Sequence, residues 1–200
     1  MGRSQLARFV QLLIAQMGPK RSRHVPLAML LESYELPGSD WKSRPPITVR
    51  PFVVGGHDSV AERARKSGCV AAWKTFDNLG STRRVKIQVG PLASIEDAKL
   101  RTASFRDKML EGVIRNGRTV EIPLGSDFKS NRFDQLEGFA YAFSRGKGGV
   151  ERFLIVAGRV DEIVYSVACS SDDEWTWDEV FAIASLQHER IVKIRESSAS

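Results

Sequence analysis

The chain is poor in the residues that most often carry chemistry. Its 200 residues include two cysteines and three histidines. A zinc site needs three or four convergent ligands, and His24, His57 and His188 stand far apart on separate elements. Neither Cys69 nor Cys169 belongs to a CxxC pair, which removes the redox and zinc-ribbon spacings. GxGxxG, GxxxxGKS/T, GxSxG and HExxH are all missing, so no dinucleotide, phosphate-loop, serine-hydrolase or zincin site is marked. No cofactor or metal is expected. Long apolar runs are missing as well, and no stretch approaches the roughly 20 residues of a transmembrane helix.

What is present fits one globular domain. The chain is 42% hydrophobic and 27% charged, and its length allows a sizeable core without disulfides or metals. The formal net charge is +6, and it is unevenly spread. Residues 1–66 hold eleven Lys/Arg against five Asp/Glu, while residues 67–200 hold nineteen of each. A basic arm of this kind suits a nucleic acid, an anionic surface or an acidic protein. Its charges are scattered, however, and no aromatic residues alternate with them as a stacking platform would need. The candidate basic contacts are Lys20, Arg21 and Arg23.

Leu6, Phe9, Val10, Leu13 and Met17 fall on one helical stripe, and Gly18-Pro19 stops it. This predicts a docking helix, with a homodimer through it as one expected arrangement. The apolar stretch Phe9–Met17 follows Arg3 and Arg8 in the manner of a weak signal peptide. Two glutamines interrupt it and no small-x-small site follows. The expectation is a cytoplasmic chain, with secretion if the true start differs.

Beyond the arm, Pro26 opens a short helix through Met29, Leu30 and Leu31. Pro37–Pro46 reads as a loop holding Trp41, and Ile47–Val54 as an edge strand because of Pro51. Asp58 caps a helix through Val60, Ala61 and Ala64 that Gly68 ends. Cys69–Phe76 reads as a strand and Asn78–Ser81 as a turn. Val85, Ile87 and Val89 alternate with Arg84, Lys86 and Gln88, a strand with one face in the core and one in water. Ser94 caps a helix whose face runs Ile95, Ala98, Thr102, Phe105, Met109. Thr119–Leu124 and the alternating Phe139, Tyr141, Phe143 are strands. Phe153–Val156 and Ile163–Ala168 are continuous apolar strands joined around Gly158, suited to the middle of a covered sheet. Thr176 with Glu179 makes a capping box for the last helix.

The predicted fold class is α+β: a mostly antiparallel sheet with packed helices, an α/β/α sandwich, preceded by an N-terminal helical arm. Residues 1–25 form the basic arm and linker, 26–195 a single α/β domain, and 196–200 a disordered tail.

Several local features invite sharper readings. Ser144–Gly149 resembles a phosphate loop but lacks the hydroxyl after its lysine and runs into a strand, so it reads as a hairpin turn. Asp172-Asp173-Glu174 is an acidic cluster that could attract a cation, but it precedes a helix N-terminus, where negative charge is favourable, and that is the preferred reading. Trp41, Trp175 and Trp177 form a candidate binding groove, or else pack as covers for the helix start. His57 and Asp58 offer the one titratable pair around which a dispersed enzyme site would be built. Cys69 and Cys169 read as free, buried thiols in a reducing compartment, with a bridge between their strands as the alternative.

LLESYELPGSDW (Leu30–Trp41), KIQVGPLASIEDA (Lys86–Ala98) and VYSVACSSDDEWTWDEVFAIASLQHERI (Val164–Ile191) together resemble segments of actinobacterial lipoproteins and receptor-kinase sensor domains. Those domains are similar in turn to the PsbP-like α/β/α sandwich. The resemblance implies a non-catalytic binding, sensor or scaffold module whose partner is an unidentified protein or small ligand. Such relatives are exported, whereas this chain has no lipobox cysteine. The other function classes are an enzyme near His57 and Asp58, and a binder of nucleic acid or anionic surfaces through the basic N-terminal third.

Overall fold

A computed structural model describes residues 25–49, 58–115, 120–121, 128–129, 136–144, 150–172 and 175–199. The predicted arm helix, the Lys20, Arg21 and Arg23 cluster, His24 and His57 lie outside them, as does the Arg145–Gly149 segment.

The described strands make one antiparallel sheet. They are β1 (Trp41–Ser43), β2 (Ile47–Val49), β3 (Ala71–Asn78), β4 (Arg84–Pro91), β5 (Val120–Glu121), β6 (Phe128–Lys129), β7 (Leu136–Ser144), β8 (Val150–Val160) and β9 (Ile163–Ser171). The sheet order is β1-β3-β4-β9-β8-β7-β5, with β2 paired to β3 and β6 to β7. The helices are α1 (Val25–Ala28), α2 (Ser59–Lys66), α3 (Ile95–Ala103), α4 (Phe105–Arg115) and α5 (Trp177–Ala199), with a 3-10 turn at Ser33–Glu35.

Strand alternation divides the core in two. Side chains at i and i+2 share a face. Val85, Ile87 and Val89 of β4 and Ile163, Tyr165, Val167 and Cys169 of β9 therefore point to one side. There they meet Val180, Ile183, Ala184 and Ile191 of α5, and Met29, Leu30 and Leu31 of the lead-in. On the other side Ala71, Ile155, Ala157 and Val164 meet Val60 and Ala64 of α2, Ala98 of α3 and Phe105 of α4. Each fully buried Leu, Ile or Phe contributes about 1.5–3 kcal/mol, so the sheet is held from both faces.

Polar contacts fix the layers. The lead-in is tied down by two buried groups, Lys74 and Gln187, and the half-buried Arg190. Lys74 Nζ donates to Glu32 Oε2 at 2.5 Å, Gln187 Nε2 to the Met29 carbonyl at 2.7 Å, and Arg190 Nε to the Ala28 carbonyl at 3.0 Å. The predicted caps are present. Asp58 Oδ1 accepts from Ala61 N at 2.8 Å, Ser94 Oγ accepts from Asp97 N at 3.1 Å, and Thr176 with Glu179 closes a capping box.

Several boundaries differ from expectation. Pro37–Pro46 is not all loop: Trp41–Ser43 is a strand paired with Phe76–Asn78. The helix from Pro26 ends at Ala28, and Met29–Leu31 is buried as it leaves it. The long helix from Ile95 to Met109 is two, divided at Ser104. Thr102 Oγ1 donates to the Ala98 carbonyl at 2.9 Å and Ser104 Oγ to that of Arg101 at 3.5 Å. Back-bonding of this kind bends a helix. The buried face of α3 is Asp97, Ala98, Arg101 and Thr102, while Ile95 is 47% exposed. Asp97 is held there by Arg63, whose guanidinium grips its carboxylate. The turn joining β8 and β9 is Asp161-Glu162, not Gly158, which is paired with Tyr165 inside the ladder. Asp161 adopts φ 50°, and Arg195 of α5 binds both turn carboxylates. Helix α5 continues to Ala199, where a disordered tail from residue 196 was expected.

Candidate functional site

The two faces of the sheet are covered unequally, and simple lengths explain it. At 1.5 Å per residue, α5 with 23 residues reaches about 34 Å, close to the full length of the longest strand beneath it, the 11 residues of β8. Helix α3 has nine residues and reaches only about 13–14 Å, against about 27 Å for the eight residues of β4 at 3.3–3.4 Å each. Helices α2 to α4 gather over the Ala71, Leu92 and Val164 end of the sheet. The other end of that face is left as an open trough of about 440 Å³, within the range of small-ligand pockets.

The strand register sets its floor. One row runs Thr75–Lys86–Ala168–Ile155 across β3, β4, β9 and β8. On one side lies the row Trp73–Gln88–Ser166, and on the other Arg84–Ser170–Phe153. Arg44, Met109 and Glu151 complete the described lining. The cations therefore lie on the β3–β4 side and the apolar groups on the β8–α4 side, with hydroxyl and methyl groups between them.

Asp77 occupies two of the cations. Arg44 donates to it through Nε at 2.6 Å and Nη2 at 3.0 Å, and Arg84 through Nε at 2.8 Å. The hydrogen bond from Arg44, then that from Arg84, holds the Asp77 carboxyl below the usual carboxylate range against a partial desolvation. Lys86 differs. Its ammonium lies 4.6 Å from the centroid of the Trp73 ring, a cation–π distance. Among the described residues no carboxylate pairs with it. Its side chain reaches solvent but stands within the concave face, and that desolvation lowers its pKa from the ordinary lysine value.

The residues nominated from sequence fare differently. Trp41 and Trp175 do come together, stacked with centroids 6.2 Å apart, and Arg83 lies 4.5 Å over Trp175. Their indole N–H groups are used internally: Trp41 donates to the Pro37 carbonyl at 2.8 Å and Trp175 to that of Ser170 at 3.2 Å. Trp177 turns instead to Phe181, 6.0 Å away, and to Gly138. All three are half-buried against the α5-side core, opposite the trough. Asp58 is engaged by its cap and by Arg101 Nη2 at 2.8 Å. His188 meets the buried Tyr165 hydroxyl at 3.2 Å, a hydroxyl whose pKa burial pushes up.

The trough itself went unnamed at the sequence level. Its signal is the Arg84, Lys86, Gln88 alternation, which by period alone is the water-facing side of a strand. The strand is in fact central, between β3 and β9, and polar residues on a central strand mark a lined concavity.

The described fold is thus an antiparallel sheet clasped between helices, with one face open at one end. No protein-family model and no curated protein matches the chain. Among solved structures it is similar to the extracellular domain of PknH from Mycobacterium tuberculosis, with a TM-score of 0.57 and 13% identity, over 86% of this chain and 97% of that one. At that identity the likeness speaks for the fold. Against the expectation of a cytoplasmic chain, that neighbour is an extracellular domain.

Proposed function

We propose that this chain is a non-catalytic sensing module that works outside the cell and takes a small ligand in the trough. The observation that carries this reading is the trough: about 440 Å³, floored by a rigid four-strand register and lined by converging cationic, hydroxyl and aromatic groups. Sites of this make-up bind and orient small molecules. The fold likeness to an extracellular domain supports the compartment. The sequence resemblance to receptor-kinase sensors and exported lipoproteins of the PsbP-like type supports the role. Residues 26–195 would then act as one binding unit.

The test is a thermal-shift screen of the protein against a metabolite library, run in parallel on Ala168→Phe. Ala168 is the small residue in the middle of the floor, and a phenyl ring there fills the trough. Ligands that raise the Tm of the native protein and not of the variant support the reading. Ligands that stabilise both equally place binding elsewhere and refute it.

A further inference from the structure

Resting on that reading of the trough, we propose that its ligand is an organic acid with an apolar body, carboxylate seated at Lys86 and Arg84 and body laid along Phe153, Ile155 and Met109.

The charge pattern selects an anion. Asp77 satisfies Arg44 at two nitrogens but takes only the Nε of Arg84. Among the described residues the terminal amino groups of Arg84 are left to a further acceptor. Lys86 has no carboxylate among the described residues, and its ammonium is held in place over Trp73. The two side chains stand two residues apart on one face of β4, about 7 Å along the strand. One carboxylate set between them meets a guanidinium fork and an ammonium, the charge-assisted arrangement that binds carboxylates most strongly. Partial desolvation of Lys86 works in the same direction, since an anion restores the interactions that the ammonium lost to the concavity.

The opposite wall selects the body. The Lys86 row ends on Ile155, two strands away, which is about 10 Å at 4.8 Å per strand. Ala168 lies between them, so the floor is low enough for an alkyl or aryl chain to cross. Phe153, Ile155 and Met109 then provide its apolar contact. The trough is therefore polarised across its width, and a bound acid has one favourable orientation.

Isothermal titration of the full chain with three isosteric probes tests this: 4-phenylbutyrate, 4-phenylbutan-1-ol and 4-phenylbutan-1-amine, at neutral pH and low salt. The acid should bind roughly ten-fold or more tighter than the alcohol, the worth of one charge-assisted contact, and the amine weaker than either. Lys86→Met should sharply reduce the preference of acid over alcohol, Lys86→Arg should keep it, and Ala168→Phe should remove binding of all three. Circular dichroism confirms that each variant is folded. If acid and alcohol bind alike, Lys86→Met changes neither and Ala168→Phe removes both, the anion assignment is overturned while the trough remains a ligand site. If no probe binds, or binding survives a folded Ala168→Phe, the anion assignment falls together with the use of the trough.

Discussion

Asp58 holds two structures at once, and separating them measures what keeps the trough's neighbouring helices in place. Its Oδ1 caps α2 through Ala61 N and also accepts from Arg101, whose side chain is 0% exposed. Replacing Asp58 by Ala removes the cap, a loss of about 1 kcal/mol. It also leaves a buried guanidinium without this carboxylate. Breaking a buried pair from one side costs about 3–5 kcal/mol. Asp58 is itself 26% exposed and Arg101 has further interactions, so about 2 kcal/mol is the appropriate figure here. The expected total of about 3 kcal/mol lowers the Tm by about 6–12 °C for a domain of this size.

Asp58→Asn separates the terms, because asparagine caps as well as aspartate but carries no charge. It should lose only the pairing share and fall between Asp58→Ala and the native protein. Asp58→Ala combined with Arg101→Met removes the stranded charge, so the double variant should be more stable than the sum of the singles by about 1–2 kcal/mol. Urea melts followed by circular dichroism give all four corners. Native stability in Asp58→Asn, or strict additivity in the double variant, would refute the pairing.

Three further outcomes are expected. A Cβ on Gly90 would stand 2.8 Å from the Cβ of Ala71, so Gly90→Ala should cost about 1–3 kcal/mol by overpacking and be partly rescued by Ala71→Gly in the same melts; a neutral Gly90→Ala contradicts this. Cys69 belongs to the core under α2 and α3, and Cys169 to the core under α5, so the sheet separates them; both are buried and neither is in a disulfide, and burial pushes the Cys169 thiol up. Neither should react with a thiol reagent until the protein unfolds, and a linked Cys69–Cys169 peptide in a non-reducing digest would refute the separation. Asp77, lowered chiefly by its hydrogen bond from Arg44, and Glu179, lowered chiefly by the Thr176 backbone N–H, both resist protonation in the folded state. Their contribution is therefore present above the unfolded carboxylate range, about 4, and is lost as pH falls through their depressed folded values; Asp77→Asn should flatten the stability profile below about pH 4.

Features written in a few adjacent residues were legible in the sequence. Asp58, Ser94 and the Thr176–Glu179 box are caps that act within three residues, and each is found where the spacing puts it. The β4 alternation likewise gave a strand with one core face. What failed depended on distant partners. Ile95 looked like a core position by period, but the salt-bridged Asp97 and Arg101 took the buried face, because Arg63 and Asp58 reach them from α2 and its cap. Trp41 looked like a loop residue until β3 supplied the partner that makes it a strand. The antiparallel fold class followed from short-range patterns, whereas the trough required knowing that β4 and β9 are neighbours across 70 or more intervening residues, from Pro91 to Ile163.

Core and site on this sheet are written in alternate letters of the same strands, and neither can vary freely without the other. In β4, Val85, Ile87 and Val89 face α5 while Arg84, Lys86 and Gln88 face the trough. A slip of one residue against β9 would exchange the two sets, placing three valine or isoleucine side chains in water and two cations and an amide under α5. Core burial thus enforces the register, and the register sets Lys86 opposite Ala168 and in line with Ile155. The trough is in this sense preorganised at no extra cost: its floor is fixed by apolar contacts on the far side of the sheet, leaving the near side free to carry unpaired charge. That division also explains how Lys86 is tolerated without a carboxylate. An unpaired ammonium under α5 would be strongly destabilising, whereas in an open concavity over Trp73 it keeps access to water until a ligand replaces that water.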